Sequence, residues 1–563
     1  MRFTSFTALA AIAALCILPH LAAALDQISR RGKYLVNPAG QRFSIKGIAY
    51  QESVATEVAE GTTYPEPTSF VDPLALSDAC RRDVPNLRNL GVNVARVFSV
   101  NASLNHDDCM REFSQANIYV ILDMALPGNA SINRADPVWD TSLLQQFTSV
   151  VDAFAKYDNV LAYNVANEVV TANNNTDALP FVRAAVRDVK AYLRGRDLNT
   201  LVTYTSADGP DGAQGRRLLQ ARYLTCGDEA DTIDLYGLNS YAWCGESNYQ
   251  ASGYATLAED FGSLPVPAYL SEFGCAQGGS ANRPWTEVAA IYSPPFSDVF
   301  SGAAAFQYFP LNASAGGLDY GLTDINNGQV TLRADWDRLR AQFANATTPG
   351  IPSPLPATSA DCPAQSDALL ASSQLPPTPN AALCACMQAN VWECQPRPAT
   401  VNDLPLLGET VGAACSLLDQ NDAPVSCSAA LDGNGATGTY GNWSQCNAQQ
   451  RLSWAMSEYY GLFRNSSDSC SFSNNAALVP SISASAVQDG SAQAQCISSN
   501  GGAVARVFDP PPTGSSSGGG GSGGGSGGSS SGSGNDNSGA VMHLHPVYIL
   551  ASACVALALA SAI

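Results

Sequence analysis

Between residues 25 and 345, short apolar runs alternate with longer amphipathic stretches at a regular beat. The runs fall at 43–48, 92–97, 118–122, 161–165, 200–204, 233–238, 268–270 and 303–308. Each has strand length and is rich in β-branched or aromatic residues, whereas 139–155 and 178–193 repeat their apolar positions with helical spacing. Eight strand-and-helix units in about 320 residues predict a (β/α)₈ barrel, an α/β fold whose catalytic groups sit at the C-terminal ends of the strands. A doubly wound open sheet is the competing arrangement, but no Gly-x-Gly-x-x-Gly turn follows the first strand.

Two of the runs are followed by glutamates. Glu168 lies in Asn-Val-Ala-Asn-Glu-Val at 164–169, and Glu272 lies in Pro-Ala-Tyr-Leu-Ser-Glu-Phe-Gly-Cys at 267–275. By strand count they follow the fourth and seventh strands, so both reach the same rim of the barrel. Paired carboxylates at one rim are what glycosidic bond chemistry requires.

The histidine count narrows the chemistry. Of four in the chain, His20, His543 and His545 lie in the terminal segments, leaving His106 beside Cys109. A multi-histidine zinc site is therefore excluded, a Ser/His/Asp triad would rest on that one residue, and no metal or other cofactor is expected. His106 reads as structural.

Carboxylate catalysis remains. In a retaining reaction the carboxyls stand roughly 5 to 5.5 Å apart, one attacking the anomeric carbon and the other protonating the leaving oxygen. Asn167 precedes Glu168, where its amide can bond a sugar 2-hydroxyl, so Glu168 is the expected acid/base and Glu272 the expected nucleophile. The acid must stay protonated at working pH, which a negative neighbour and partial burial favour.

The termini indicate export. Residues 1–24 carry Arg2, an apolar stretch over 8–18 and Ala22-Ala23-Ala24, a secretory signal cleaved before Leu25. At the other end come a Gly/Ser run over 514–534, the small residues Asn537-Ser538-Gly539 and an apolar tail over 547–563 with no basic residue after it. That is a GPI-attachment pattern with Asn537 as anchor site, and the tail is shorter than the roughly 20 residues of a membrane-spanning helix. Of 16 cysteines, Cys16 and Cys554 leave with these segments, so the remainder is even and fit to pair in an oxidising compartment. Sequons at Asn101, Asn129, Asn174, Asn312, Asn345, Asn442 and Asn465 fit the same location. The formal charge of −20 argues against nucleic acid or anionic lipid as partners.

Cysteine density divides the chain. It is sparse before residue 350 and dense from Cys384 to Cys496, with a Pro-rich stretch at 347–356 between. The expected organisation is a signal (1–24), a catalytic barrel (25–345), a Pro-rich linker (346–372) acting as a semi-stiff spacer, a Cys-rich module (373–505), a Gly/Ser stalk (506–537) and a removed propeptide (538–563).

Residues 33–345 resemble the catalytic domain of the fungal β-1,3-glucanosyltransferases, family 72 of the glycoside hydrolases. The resemblance rests on Ile-Lys-Gly-Ile-Ala-Tyr-Gln (45–51), Asp-Pro-Leu (72–74), Cys-Arg-Arg-Asp (80–83), Leu-Gly-Val-Asn-Val-Ala-Arg-Val (90–97), Asp-Asp-Cys-Met (107–110), Ser-Ile-Asn-Arg (131–134), Asn-Glu-Val (167–169), Tyr-Ala-Trp-Cys (241–244) and Ser-Glu-Phe-Gly-Cys (271–275). It implies a retaining enzyme that cleaves β-1,3-glucan internally and passes the new reducing end to the non-reducing end of another chain. It also implies sugar contacts at Gln51, Asp123, Asn167, Asn239, Tyr241 and Tyr308, a role for Arg96 in holding the nucleophile ionised, and disulfides Cys80–Cys109, Cys226–Cys362 and Cys244–Cys275. A monomer on the outer face of the plasma membrane, or in the wall, is the implied setting.

This chain departs from the family pattern in places. Phe98 and Phe306 stand where Tyr is usual, Ala166 where Gly is common, and the loop after Gln51 is longer. Residues 373–500 resemble the Cys-rich module of carbohydrate-binding family 43, through Leu-Pro-Pro-Thr-Pro-Asn-Ala-Ala-Leu-Cys-Ala-Cys-Met (375–387), Asn-Gly-Ala-Thr-Gly-Thr-Tyr-Gly-Asn-Trp-Ser-Gln-Cys (434–446) and Leu-Ser-Trp-Ala-Met-Ser-Glu-Tyr-Tyr (452–460). Tyr440, Trp443 and Tyr460 are its candidate stacking rings, and bracing of the barrel is its other expected role. An endo-β-1,3-glucanase would share every catalytic residue, and a non-catalytic glucan binder is the alternative of a different class.

Overall fold

Runs of apolar residues without alternation suit parallel strands covered on both faces. The computed structural model describes residues 24–500 except 53–55, 59–64, 68, 128–130, 213–214, 312–317, 360 and 465. The signal up to residue 23, the sequons at Asn129, Asn312 and Asn465, residues 501–505 of the module, the stalk, Asn537 and the apolar tail lie outside those residues.

Eight runs become strands: β1 (Ile45–Ala49), β2 (Val94–Val97), β3 (Tyr119–Asp123), β4 (Val160–Asn167), β5 (Leu201–Ala207), β6 (Leu235–Asn239), β7 (Ala268–Phe273) and β8 (Phe300–Ala305). They pair in parallel around a closed barrel in chain order, β8 returning to β1 through Gly302↔Ile45. The flanking helices are α1 (Ser77–Leu90), α2 (Asp107–Gln115), α3 (Thr141–Phe154), α4 (Leu179–Arg194), α5 (Arg216–Thr225), α6 (Tyr254–Phe261), α7 (Glu287–Ile291) and α8 (Ala334–Asn345). Local chemistry sets their ends: the Asp140 carboxylate accepts from the amides of Ser142 and Leu143 at the start of α3, and Pro180 occupies the first turn of α4, where no amide hydrogen is needed.

The run at 43–48 splits at Ser44. Phe43 belongs to an antiparallel sheet of Ser29–Arg31, Tyr34–Val36 and Arg42–Phe43. From that sheet Leu35 packs with Ile45, Val94, Tyr119, Leu161, Leu201 and Leu235, which start the strands, so the hairpin plugs the N-terminal mouth. The opposite mouth is left for chemistry.

The module is built on α9 (Ala381–Asn390), α10 (Leu404–Gln420) and α11 (Ala448–Leu462). Its core gathers Leu383, Trp392, Leu418, Trp443 and Trp454, with the Trp392 and Trp443 rings edge to face at 5.6 Å. Four disulfides, Cys384–Cys446, Cys386–Cys496, Cys394–Cys470 and Cys415–Cys427, supplement this small core. Cys80–Cys109, Cys226–Cys362 and Cys244–Cys275 are bonded in the barrel region.

Corrections arise where the module meets the barrel. The Pro-rich segment is not the free spacer its composition suggests. Cys362 is bonded to Cys226 on the barrel, the Ser359 amide donates to the Ser263 carbonyl at 2.8 Å, and Leu369 and Ala371 are buried in the barrel's own core. Compositional stiffness loses to apolar burial and a cross-link. Tyr440 and Trp443 are likewise not presented as open stacking platforms. Tyr440 packs on Phe181 of α4 at 5.7 Å and donates to the Gln374 carbonyl, while Trp443 is buried. At Gly435 a Cβ would lie 1.9 Å from the Asp177 carbonyl oxygen, so only glycine permits this closeness.

No helix among the described residues is long and apolar enough to cross a membrane.

Candidate active site

Both glutamates stand where the barrel ladder slips. The β4–β5 register shifts between Thr203 and Thr205, bringing Thr205 opposite Asn167. The β6–β7 register shifts at Asn239, which faces Glu272. Such irregularities re-aim side chains at strand ends. Glu168 follows β4 with a φ of +51°, unusual for a residue with a side chain. Its amide donates to the Thr205 carbonyl at 2.8 Å, and Arg134 donates to its carbonyl at 3.0 Å.

Arg96, on β2, is the hub. It is fully buried, and its Nη1 donates to Glu272 Oε1 at 3.0 Å. Its Nη2 donates to Asp123 Oδ2 at 3.0 Å and to Asn167 Oδ1 at 2.8 Å. Its guanidinium carbon lies 4.4 Å from the centroid of the Phe98 ring. Burial alone would weaken Arg96 as a cation, but Asp123 and Glu272 more than offset it and hold the guanidinium charged.

Asn239 links Glu168 to Arg96. Its Nδ2 donates to Glu168 Oε1 at 2.9 Å, while its Oδ1 accepts from Ser271 Oγ at 2.8 Å and lies 3.5 Å from Arg96 Nη1. Tyr241 donates its hydroxyl to Glu272 Oε2 at 2.8 Å. Glu272 therefore receives a cation on one oxygen and a hydroxyl on the other.

Burial lifts the Glu272 carboxyl from its ordinary range to about 7; Arg96 and Tyr241 oppose the rise, and Glu168 and Asp123 add to it. Asp123 is also pushed upward by burial, against Arg96. The contacts of Arg96 and Tyr241 favour carrying the anion at Glu272.

An aromatic wall rises beside Tyr241. Its ring meets Tyr320 at 5.4 Å and Phe306 at 6.3 Å, Phe306 meets Tyr320 at 5.4 Å, and Phe98 lies 6.2 Å from Phe306. The two Tyr-to-Phe departures thus place apolar ring faces together.

Two expected sugar contacts are differently employed. Tyr308 is fully buried, donates to Asp83 Oδ1 at 2.8 Å and packs on Tyr50, Phe309 and Trp336, because β8 ends at Ala305 and the chain then turns behind the rim. Gln51 donates to the Val71 carbonyl at 2.6 Å and accepts from the amides of Phe98 and Ser99, both at 3.2 Å, so it anchors loops. His106 pairs with Asp72 at 2.8 Å and packs on Phe154 at 4.4 Å, both among buried groups.

Ser271, Arg134 and Tyr320 join the site without a catalytic pattern of their own in the sequence. Arg134 sits in the Ser-Ile-Asn-Arg motif, which was a signal, but Tyr320 reaches the cleft on a loop without periodicity.

Glu287, on α7, is another buried carboxyl, lifted by desolvation to about 7. Because its folded-state value exceeds the unfolded one, its stabilising contribution is full below about 4.5 and is lost as pH rises to about 7. Glu287→Gln should therefore gain relative to wild type between pH 4 and pH 8, by on the order of 3 kcal/mol. Thermal unfolding at both pH values checks this; an unchanged difference contradicts it.

With this geometry established, comparison with known proteins is direct. The family model described as Glucanosyltransferase matches residues 19–347, more than half of the chain. The chain belongs to this glucanosyltransferase family, glycoside hydrolase family 72. A second model, the X8 domain, matches residues 393–477 within the Cys-rich module. The family member here is 36% identical over 467 residues to 1,3-beta-glucanosyltransferase gas1 of Schizosaccharomyces pombe, covering 82% of this chain and 80% of that protein. It is 36% identical to 1,3-beta-glucanosyltransferase GAS2 of Saccharomyces cerevisiae over 438 residues, 76% of this chain and 75% of that one. The crystal structure of Saccharomyces cerevisiae Gas2p with laminaritriose and laminaritetraose superposes with a TM-score of 0.67 at 35% identity, covering 79% of this chain and 94% of that chain.

Proposed function

We propose that this protein is a retaining 1,3-β-glucanosyltransferase that cleaves β-1,3-glucan internally and joins the new reducing end to the non-reducing end of another chain. The observation that carries the reading is the network in which Arg96 and Asn239 tie Glu272 to Glu168 at the open end of the barrel. Glu272 attacks the anomeric carbon as the glycosidic bond breaks, and Glu168 gives its proton to the leaving oxygen. A covalent glycosyl ester on Glu272 results. Glu168, now a carboxylate, takes the proton from an acceptor sugar hydroxyl, whose oxygen displaces Glu272 and restores both groups.

Asn167 and Asn239 sit beside the reacting ring in this scheme. Their amides serve the sugar hydroxyls and the acid, while Asp123 balances the charge of Arg96. The wall of Tyr241, Phe306 and Tyr320 offers stacking faces for an acceptor sugar, which must outcompete water. The printed names of the yeast relatives, and the laminari-oligosaccharides bound to Gas2p, support β-1,3-glucan as donor and acceptor.

The remaining readings belong to the same proposal. The Cys-rich module contributes glucan binding, with half-exposed Tyr460 on α11 as its remaining candidate ring. The signal directs secretion, and a GPI anchor at Asn537 holds a monomer on the outer face of the plasma membrane, facing the wall. Incubation of the purified protein lacking its tail with a reduced laminari-oligosaccharide should yield products longer than the substrate. Shorter products alone identify a hydrolase, and unchanged substrate identifies a binder.

A further inference from the structure

Behind the aromatic wall lies a second buried arginine that reaches neither carboxyl. Arg283 is 3% exposed, and its donors go to backbone oxygens of separate chain segments around β7 and β8. Nη1 donates to the Phe306 carbonyl at 2.7 Å and lies 3.4 Å from the Gly274 carbonyl. Nη2 donates to the Tyr320 carbonyl at 2.9 Å. Asp335, at the start of α8, fixes the guanidinium from behind, with Nε at 2.9 Å and Nη2 at 2.8 Å from its Oδ2. One planar group thus sets three points: the end of β7 two residues past Glu272, the residue following β8, and the loop that brings Tyr320 forward.

The surroundings leave Arg283 little freedom. Its guanidinium carbon lies 4.2 Å from the Trp285 ring centroid, and Trp285 fills the space over Gly274, where a Cβ would come within 2.5 Å of that ring. Gly274 has a φ of +109°, so glycine is required there on two counts. The outer end of the same loop is held independently by Arg333, which donates to the Gly321 carbonyl at 3.0 Å and pairs with Asp319 and Asp324.

We infer that Arg283 is a positioning residue for transfer: it acts through Phe306 and Tyr320 to hold the aromatic wall at the spacing an incoming sugar needs, without touching substrate itself. The inference rests on the transferase reading above and deepens it. Glu272 is held by Arg96, which lies outside the wall, so loosening the wall leaves bond cleavage in place. Water needs no wall, whereas a sugar acceptor does, so the partition between transfer and hydrolysis is what shifts.

Lysine at this position keeps the charge but cannot reach three carbonyls and a carboxylate from one plane. In full-length protein purified in detergent, Arg283→Lys should lower the ratio of lengthened to hydrolysed products by roughly tenfold, while the rate of donor consumption changes by less than about threefold. Tyr320→Ala should lower the same product ratio, and the double variant should lower it no further than Tyr320→Ala alone, since both act through one wall. Equal losses of transfer and hydrolysis in Arg283→Lys, or an additive double variant, would overturn the inference. Should Arg283→Lys not fold, Asp335→Asn provides the milder loosening, and an unchanged product ratio in it counts equally against the inference. A wild-type protein that makes no lengthened product refutes the transferase reading instead, which separates the two failures.

Discussion

Glu272→Gln protein is expected to fold to the same barrel and to consume laminari-oligosaccharide at least about a thousandfold more slowly than wild type. The amide is nearly the size of the carboxyl; its oxygen can still accept from Arg96 while its NH2 donates to the Tyr241 hydroxyl oxygen, so the packing around β7 survives. What is lost is the electron pair that forms the glycosyl ester. Glu168→Gln differs in kind, because the nucleophile remains but the leaving oxygen departs unprotonated. Product analysis by chromatography, with circular dichroism as the folding control, decides the matter. Turnover near the wild-type rate in folded Glu272→Gln would remove that residue from its assigned role.

The second large effect belongs to Arg96. Replacement by Met leaves Asp123 and Glu272 as buried acids facing each other without their shared cation, and removes a donor from Asn167. Loss of one partner from a buried ionic cluster costs about 3–5 kcal/mol, far more than any exposed ion pair on this surface. Arg96→Met should therefore unfold at a markedly lower temperature and lose at least about a hundredfold in turnover even where it remains folded. Denaturant titration together with kinetics in the native baseline tests both halves. A stable, active Arg96→Met would mean that the hub is dispensable.

The contrast between the two arginines has a simple physical basis. Arg96 meets side-chain carboxylates within the barrel and so sets charge, whereas Arg283 meets backbone carbonyls behind the rim and so sets shape. Only the former was marked by its place in a motif.

The eight barrel strands were legible because each is a short, mostly apolar run, and the observed boundaries fall within a few residues of those runs. The fourth and seventh strands carry Glu168 and Glu272 to one rim, as strand counting required. Direction at strand ends was not legible. Tyr308 lies three residues beyond β8, where the chain has already turned, so its hydroxyl meets Asp83 inside the protein. Gln51, two residues beyond β1, is consumed by backbone groups of neighbouring loops for a similar reason. The eight cysteines of the module allow 105 pairings, and nothing in their spacing selects one. The tie through Cys226–Cys362 was implied by the family resemblance, whereas the burial of Leu369 and Ala371 does not show in proline content, which describes an isolated chain.

That attachment alters what a protease could achieve. A cut anywhere between residues 347 and 361 would sever the main chain, yet the downstream piece would stay bound to its upstream neighbour through the Cys226–Cys362 cystine. Release of the Cys-rich module therefore demands reduction of that cystine as well as a nick, and under oxidising conditions both pieces stay in one particle even after clipping.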